Sequence, residues 1–218
     1  MFINHNTFTN ENHFYIIENI EKKYDLFVNS AFDYYKKLHL TRLVDNINYV
    51  GRFCNDNFDF TQLNENSFFS NFKDNICIKE NYNWLSNQEI NLMANQSIIG
   101  GIFSNTEGAC FSSSQYFLSG LPVISTYCKG GREIWYNEEN IIYCDNTHES
   151  VLEAVNIAKE KIQNGFFDKN KIRQNHINKQ EGFRKELTTF IIKKLIVENE
   201  NNNINFEELK QKLSYYEW

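Results

Sequence analysis

The chain has 218 residues, 41% of them hydrophobic and 23% charged, enough apolar content to bury a core and too much for a disordered segment. A net charge of −6 excludes an electrostatic nucleic-acid binder, so no nucleic acid is expected as a partner. The five cysteines are odd in number and lack a CxxC pair, no run approaches 18 apolar residues, and the first residues carry no signal-peptide pattern; together these predict reduced thiols in a soluble, cytoplasmic protein with no transmembrane segment.

Residues 1 to 23 are polar and aromatic without a clear period, and are read as an N-terminal arm or cap. Tyr24 to Ser30, YDLFVNS, is a compact apolar run that predicts a strand, with Ser30 as N-cap of a helix carrying Phe32, Tyr35, Leu38 and Leu43. INYVG predicts the next strand, ending at Gly51 and followed by Arg52 and a loop-like stretch. NICIKEN predicts another. Ser86 with Glu89 has capping-box spacing, so a helix should begin there and run to about Gln96.

The most informative stretch runs from Ile98 to Arg132. An apolar strand ends in the turn SNTEG; a helix-length segment from Ala109 to Ser119 is stopped by Gly120; LPVIST follows, with Pro122 at a strand's start. A strand feeding a helix through a Gly-bearing turn leaves the first helical N–H groups free to bind an anion, here those near Cys110, Phe111 and Ser112. Glu107, Phe111 and Gln115 follow an i, i+4, i+8 line, about 12 Å along one face. That span suits a nucleotide sugar, polyhydroxylated at both ends with an anionic middle. Gly130 and Gly131 close the next strand-to-helix turn and permit close backbone approach.

ENIIYCDN predicts the last strand. Asn146 and Glu149 stand as N-cap and N3 of a long helix with the stripe Val151, Leu152, Val155, Ala158 and Ile162, ended by Gly165. From Asp168 the sequence reads as amphipathic helix with Phe183, Leu187, Phe190, Ile191 and Leu195 on one side, then an ENENNN break and a short final helix. Strands alternating with helices, without hairpin signals, predict an α/β, doubly wound parallel sheet of Rossmann-like form over residues 24–180, with a helical extension over 181–218.

EG, then Gln115, then SGLPVIST and KGGREI resemble the donor-binding C-terminal half of GT-B glycosyltransferases of the family-four type (glycosyl transferases group 1). The order and spacing of their hallmarks hold over about thirty residues, and a weaker match runs from about Tyr24 to Lys161. The resemblance implies transfer of a sugar from a nucleoside-diphosphate-sugar donor to an acceptor, with retention and without metal or other cofactor. The five histidines likewise show no metal-site spacing.

It further implies that Glu107 hydrogen-bonds the donor sugar and that Arg52 meets the diphosphate; Asn57 stands where the family has a lysine, and Arg132 is the nearest basic residue to compensate. Gln115 replaces the second family glutamate and either holds a ribose hydroxyl or is a polar filler. Tyr82 and Trp84 lie where the family places the base, as stacking partners or as core aromatics. Gly51, Gly108, Gly130 and Gly131 complete the expected donor site. GT-B enzymes react between two Rossmann-like halves, and this chain has room for essentially one. The alternative to an enzyme is therefore a non-catalytic or half-enzyme module needing a partner chain or domain to supply the acceptor half.

Overall fold

The computed structural model describes residues 4–31, 33–51, 76–77 and 85–198, with backbone alone at 76–77 and 194–198. Six strands form one all-parallel sheet: β1 (Tyr24–Asn29), β2 (Ile47–Val50), β3 (Ile76–Cys77), β4 (Ser97–Ile102), β5 (Val123–Thr126) and β6 (Ile141–Cys144), in the order β3-β2-β1-β4-β5-β6. β2 and β5 are buried at every position, as strands must be when both faces of a parallel sheet are covered, and this is why they read as continuous apolar runs. Leu26 pairs with Ile47 on one side and Ile99 on the other, and Val123 pairs with Gly100 and Ile141. The chain winds outward from β1 to β3, returns to lay β4 against β1, then winds outward again. That reversal opens a crevice above the carboxyl ends of β1 and β4, the position where doubly wound sheets bind ligands.

The sheet is flanked by α1 (Asn87–Asn95), α2 (Phe111–Leu118), α3 (His148–Gln163) and α4 (Lys169–Glu198). α1 has the full capping box: the Ser86 hydroxyl accepts from the Glu89 amide at 3.2 Å and Glu89 Oε2 accepts from the Ser86 amide at 2.8 Å. α2 stops where Gly120 takes the left-handed φ of 74°. α3 buries Val151, Ala154, Val155 and Ala158.

Three local expectations are corrected. The segment after β1 forms short 3-10 turns, Tyr34–Lys36 and Leu38–Thr41, not a helix capped by Ser30; the Asp33 side chain caps the first turn and Lys37, in the left-handed region at φ 52°, breaks the path before an α-helix can propagate. α3 is capped by Thr147, one residue after Asn146, because the Thr147 hydroxyl takes the Ser150 amide. On α4 the buried residues are Ile172, His176, Gln180, Thr188 and Ile192, while Phe190 is exposed.

The physical reason for the last is what α4 packs against. The N-terminal arm lies along it, and an irregular segment presents backbone carbonyls that need donors. Gln180 Nε2 donates to Asn6 O at 2.7 Å, Arg184 Nε to Thr7 O at 2.8 Å, and Arg173 Nη2 to Glu11 O at 2.8 Å. Much of the buried face of α4 is therefore polar, with Ile172 and Ile192 beside it. The expected boundary at residue 180 falls inside this single helix. Among the described residues no helix is long and apolar enough to cross a membrane.

Candidate functional site

β4 ends at Ile102 and the chain turns through Ser104 to Glu107 at the lip of the crevice. A second turn, after β5, holds this one in place. The Lys129 amide donates to Asn105 O at 2.8 Å and the Glu107 amide to Lys129 O at 3.1 Å, with Thr106 and Lys129 forming an isolated parallel bridge. Gly130 adopts φ 138°, and a Cβ there would stand 2.7 Å from the carbonyl carbon and oxygen of Glu107. The glycine pair thus serves first to let two protein turns touch. Gly131 starts the 3-10 turn Arg132–Trp135, and Gly108 sits against the Gly130 carbonyl.

The Glu107 carboxylate gathers three partners. Lys36 Nζ lies 2.5 Å from Oε1, Ser104 Oγ donates to Oε2 at 2.5 Å, and Arg132 Nη1 stands 3.6 Å from Oε2. Arg132 is fully buried, donating to Ser104 Oγ at 2.6 Å and to Ser125 Oγ and Thr126 O at 2.8 Å each. It supports Glu107 from beneath and does not reach the open edge. Burial works against the Lys36 ammonium, but the hydrogen bond and charge of Glu107 outweigh it and raise the Lys36 pKa.

α2 opens beside this cluster. Its N-cap, Cys110, gives no side-chain cap bond, and burial pushes that thiol up to about 11. Three polar side chains of the first turns are engaged within the protein: Ser112 Oγ donates to Asn29 O at 2.5 Å, Ser113 Oγ to Cys110 O at 2.7 Å, and Asn29 Nδ2 donates to Gln115 Oε1 at 2.8 Å. An α-helix leaves its first backbone amides without intrahelical partners; at α2 the Ser113 amide turns to Cys110 O at 3.0 Å. The arm approaches the same place. Asn4 Nδ2 donates to Gly108 O at 3.3 Å, Asn6 Nδ2 to Cys110 O at 2.9 Å, and His5 stacks on Phe111 with ring centroids 3.9 Å apart. His5 is kept toward its neutral form by burial, against the pull of Glu107.

Between Asn29, Lys36, Ser104, Glu107 and Cys110 lies a cavity of about 10 Å³, room for about one water.

Lys36 is the residue that sequence reasoning missed. A strand and then a Lys36-Lys37 pair were visible, but reading them onto a helix hid their aim. Topology settles which strand's exit faces Glu107: β1 pairs directly with β4, whereas β2 lies beyond β1, about 5 Å farther out. Gly51 follows β2 and is half-buried. Arg52, Asn57, Tyr82 and Trp84 lie outside the described residues. Among the described residues no group of three His, Cys, Asp or Glu could hold a metal ion.

No protein-family model and no curated protein matches the sequence. Solved structures do. The C-terminal domain of a glycosyl transferase group 1 family protein from Francisella tularensis is similar with a TM-score of 0.55 at 17% identity, over 78% of this chain and 95% of that domain. Sucrose-phosphate synthase from Thermosynechococcus elongatus gives a TM-score of 0.56 at 13% identity, over 88% of this chain and 52% of that one. The pneumococcal O-GlcNAc transferase in complex with UDP and GlcNAc gives 0.53 at 14% identity, over 93% of this chain and 38% of that one. The chain has the Rossmann-like fold of the C-terminal half of GT-B glycosyltransferases, and spans about half or less of the two longer enzymes.

Proposed function

We propose that the protein is a glycosyltransferase that moves a sugar from a nucleoside-diphosphate-sugar donor to an acceptor, with retention and without a metal ion. The observation that carries this is the Lys36–Glu107 pair at the crevice between β1 and β4, beside the start of α2. In this reading the donor diphosphate takes Lys36 from Glu107. The ammonium and the first-turn amides of α2 then hold the negative charge that grows on the departing diphosphate, an effect worth about 10²–10³ in rate per donor at comparable sites. Glu107, released from Lys36 but still held by Ser104 and Arg132, accepts a hydroxyl of the donor sugar. Arg132 is a positioning residue. Gly51, Arg52, Tyr82 and Trp84 remain proposed donor-site residues, and Gln115 is tied to the site through Asn29.

A second reading is favoured by length: the chain spans 52% and 38% of the two longer enzymes of this fold. Here it is a donor-binding half that needs a partner chain or domain for the acceptor. Titrating the pure chain with uridine- and guanosine-diphosphate sugars while following slow donor hydrolysis separates the two. Binding with hydrolysis supports the enzyme, binding alone the half-enzyme module, and the absence of binding removes both.

A further inference from the structure

Away from the crevice, a cleft of about 340 Å³ lies at the opposite, amino end of the sheet, within the size range of small-molecule sites. Its lining gathers at the strand starts: Lys22 stands before β1, Ile98 is the second residue of β4, and Pro122 immediately precedes β5. Five isoleucines face it, Ile16, Ile17 and Ile20 from the arm with Ile98 and Ile162, and every one is only half-buried. Buried Leu121 and Phe167 complete the apolar lining. Gly120 shapes one wall: at φ 74°, a Cβ there would lie 2.9 Å from Lys169 Cβ and 3.0 Å from Ile16 Cγ1.

The polar part of the cleft has one sign. Lys22, Lys159 and Lys169 line it, and no carboxylate does among the described residues. Lys159 and Lys169 turn to acids outside the lining, Asp25 and Glu18, each at 2.5 Å. Lys22 has no acid. Its Nζ donates to Asn95 O and Ser97 O at 2.8 Å each, two of the three bonds an ammonium can give. Lys22 is exposed as a residue, yet burial first, then the charge of Lys169, bring its pKa down to about 8.

We infer that this cleft binds a small amphipathic anion, an apolar chain lying against the isoleucines with a single carboxylate head at Lys22. The isoleucines gain the cover they lack, and Lys22 gains a third hydrogen bond and a counter-charge. The site is separate from the donor crevice, and its occupancy does not depend on the transferase reading.

The test is a titration of the full chain with decanoate, decanol and acetate, followed by amide chemical shifts. Decanoate is expected to shift the amides of Ile98, Gly120 and Leu121, decanol to bind about tenfold more weakly, and acetate not at all. Lys22→Met should weaken decanoate by about tenfold and leave decanol unchanged, and Ile162→Trp, which fills the cleft, should abolish both. The inference is overturned if decanoate moves none of those amides, if decanol binds as tightly as decanoate, or if Lys22→Met leaves decanoate binding intact. Should Lys22→Met fail to fold, the decanoate-to-decanol ratio on the native chain decides alone.

Discussion

Lys36 Nζ and Glu107 Oε1 meet at 2.5 Å across 71 residues of sequence, because β1 and β4 are neighbours in the sheet and each chain exit turns toward the other. Both side chains are largely enclosed, at 13% and 16% exposure, so the pair is not a solvated surface contact of the kind that contributes little. Glu107 also holds Ser104 at 2.5 Å and Arg132 at 3.6 Å, so a carboxylate without Lys36 would not be stranded.

Lys36→Met therefore separates binding from folding. Affinity for a nucleoside diphosphate is expected to fall by about tenfold to a hundredfold, with a small change in thermal stability, as read by calorimetric titration and a melting curve. An unchanged affinity would remove Lys36 from the site.

Gly130→Ala should damage the same site from a distance. The added methyl would press within 2.7 Å of the Glu107 backbone, at a φ of 138° that side chains avoid. A loss of about 1–3 kcal/mol in denaturant unfolding is expected, with weaker nucleotide binding. Stability equal to the wild type would mean that the two turns are not locked together.

His176 sets an acid limit on stability. It is enclosed by Phe117 and Trp135, at ring-centroid distances of 5.3 and 5.0 Å, and neither ring nitrogen has a hydrogen-bond partner among the described residues. Burial first, then the charges of Lys179, Arg184 and Arg173, push its pKa from 6.5 down to about 3. The unfolded chain thus binds a proton that the folded chain refuses over that range. Stability is full above pH 6.5 and declines as the pH falls toward 3. His176→Phe should flatten that part of the pH–stability curve; an unchanged slope between pH 6 and 4 would contradict the assignment.

Arg184 fastens the arm through a two-pronged contact with Glu11, at 3.1 and 3.0 Å, and through Thr7 O at 2.8 Å. Arg184→Ala should release residues 4–19 to limited proteolysis and cost about 1–3 kcal/mol. Protection equal to the wild type would place the arm's anchorage elsewhere, at Arg173 or Gln180.

The sheet was legible in the sequence because strands buried on both faces must be short apolar runs, and helix ends because Ser86, Glu89, Gly120 and Gly165 carry their own local chemistry. The turn from Ser104 to Glu107 and the paired glycines were legible for the same reason. What escaped was set by partners distant in the chain. Lys36 gained its meaning from the β1–β4 pairing, Arg132 from a hydroxyl and a carbonyl on β5, and the polar buried face of α4 from arm carbonyls more than 170 residues away. Periodicity assumes an apolar partner, and there the partner was backbone.

The most direct measurement is a crystal of the protein soaked with a nucleoside diphosphate sugar. The diphosphate should lie within hydrogen-bonding distance of Lys36 Nζ and the Phe111 and Ser112 amides, with Glu107 parted from Lys36 and facing the sugar. A nucleotide bound elsewhere, or a Lys36–Glu107 pair left intact beside it, would contradict the account.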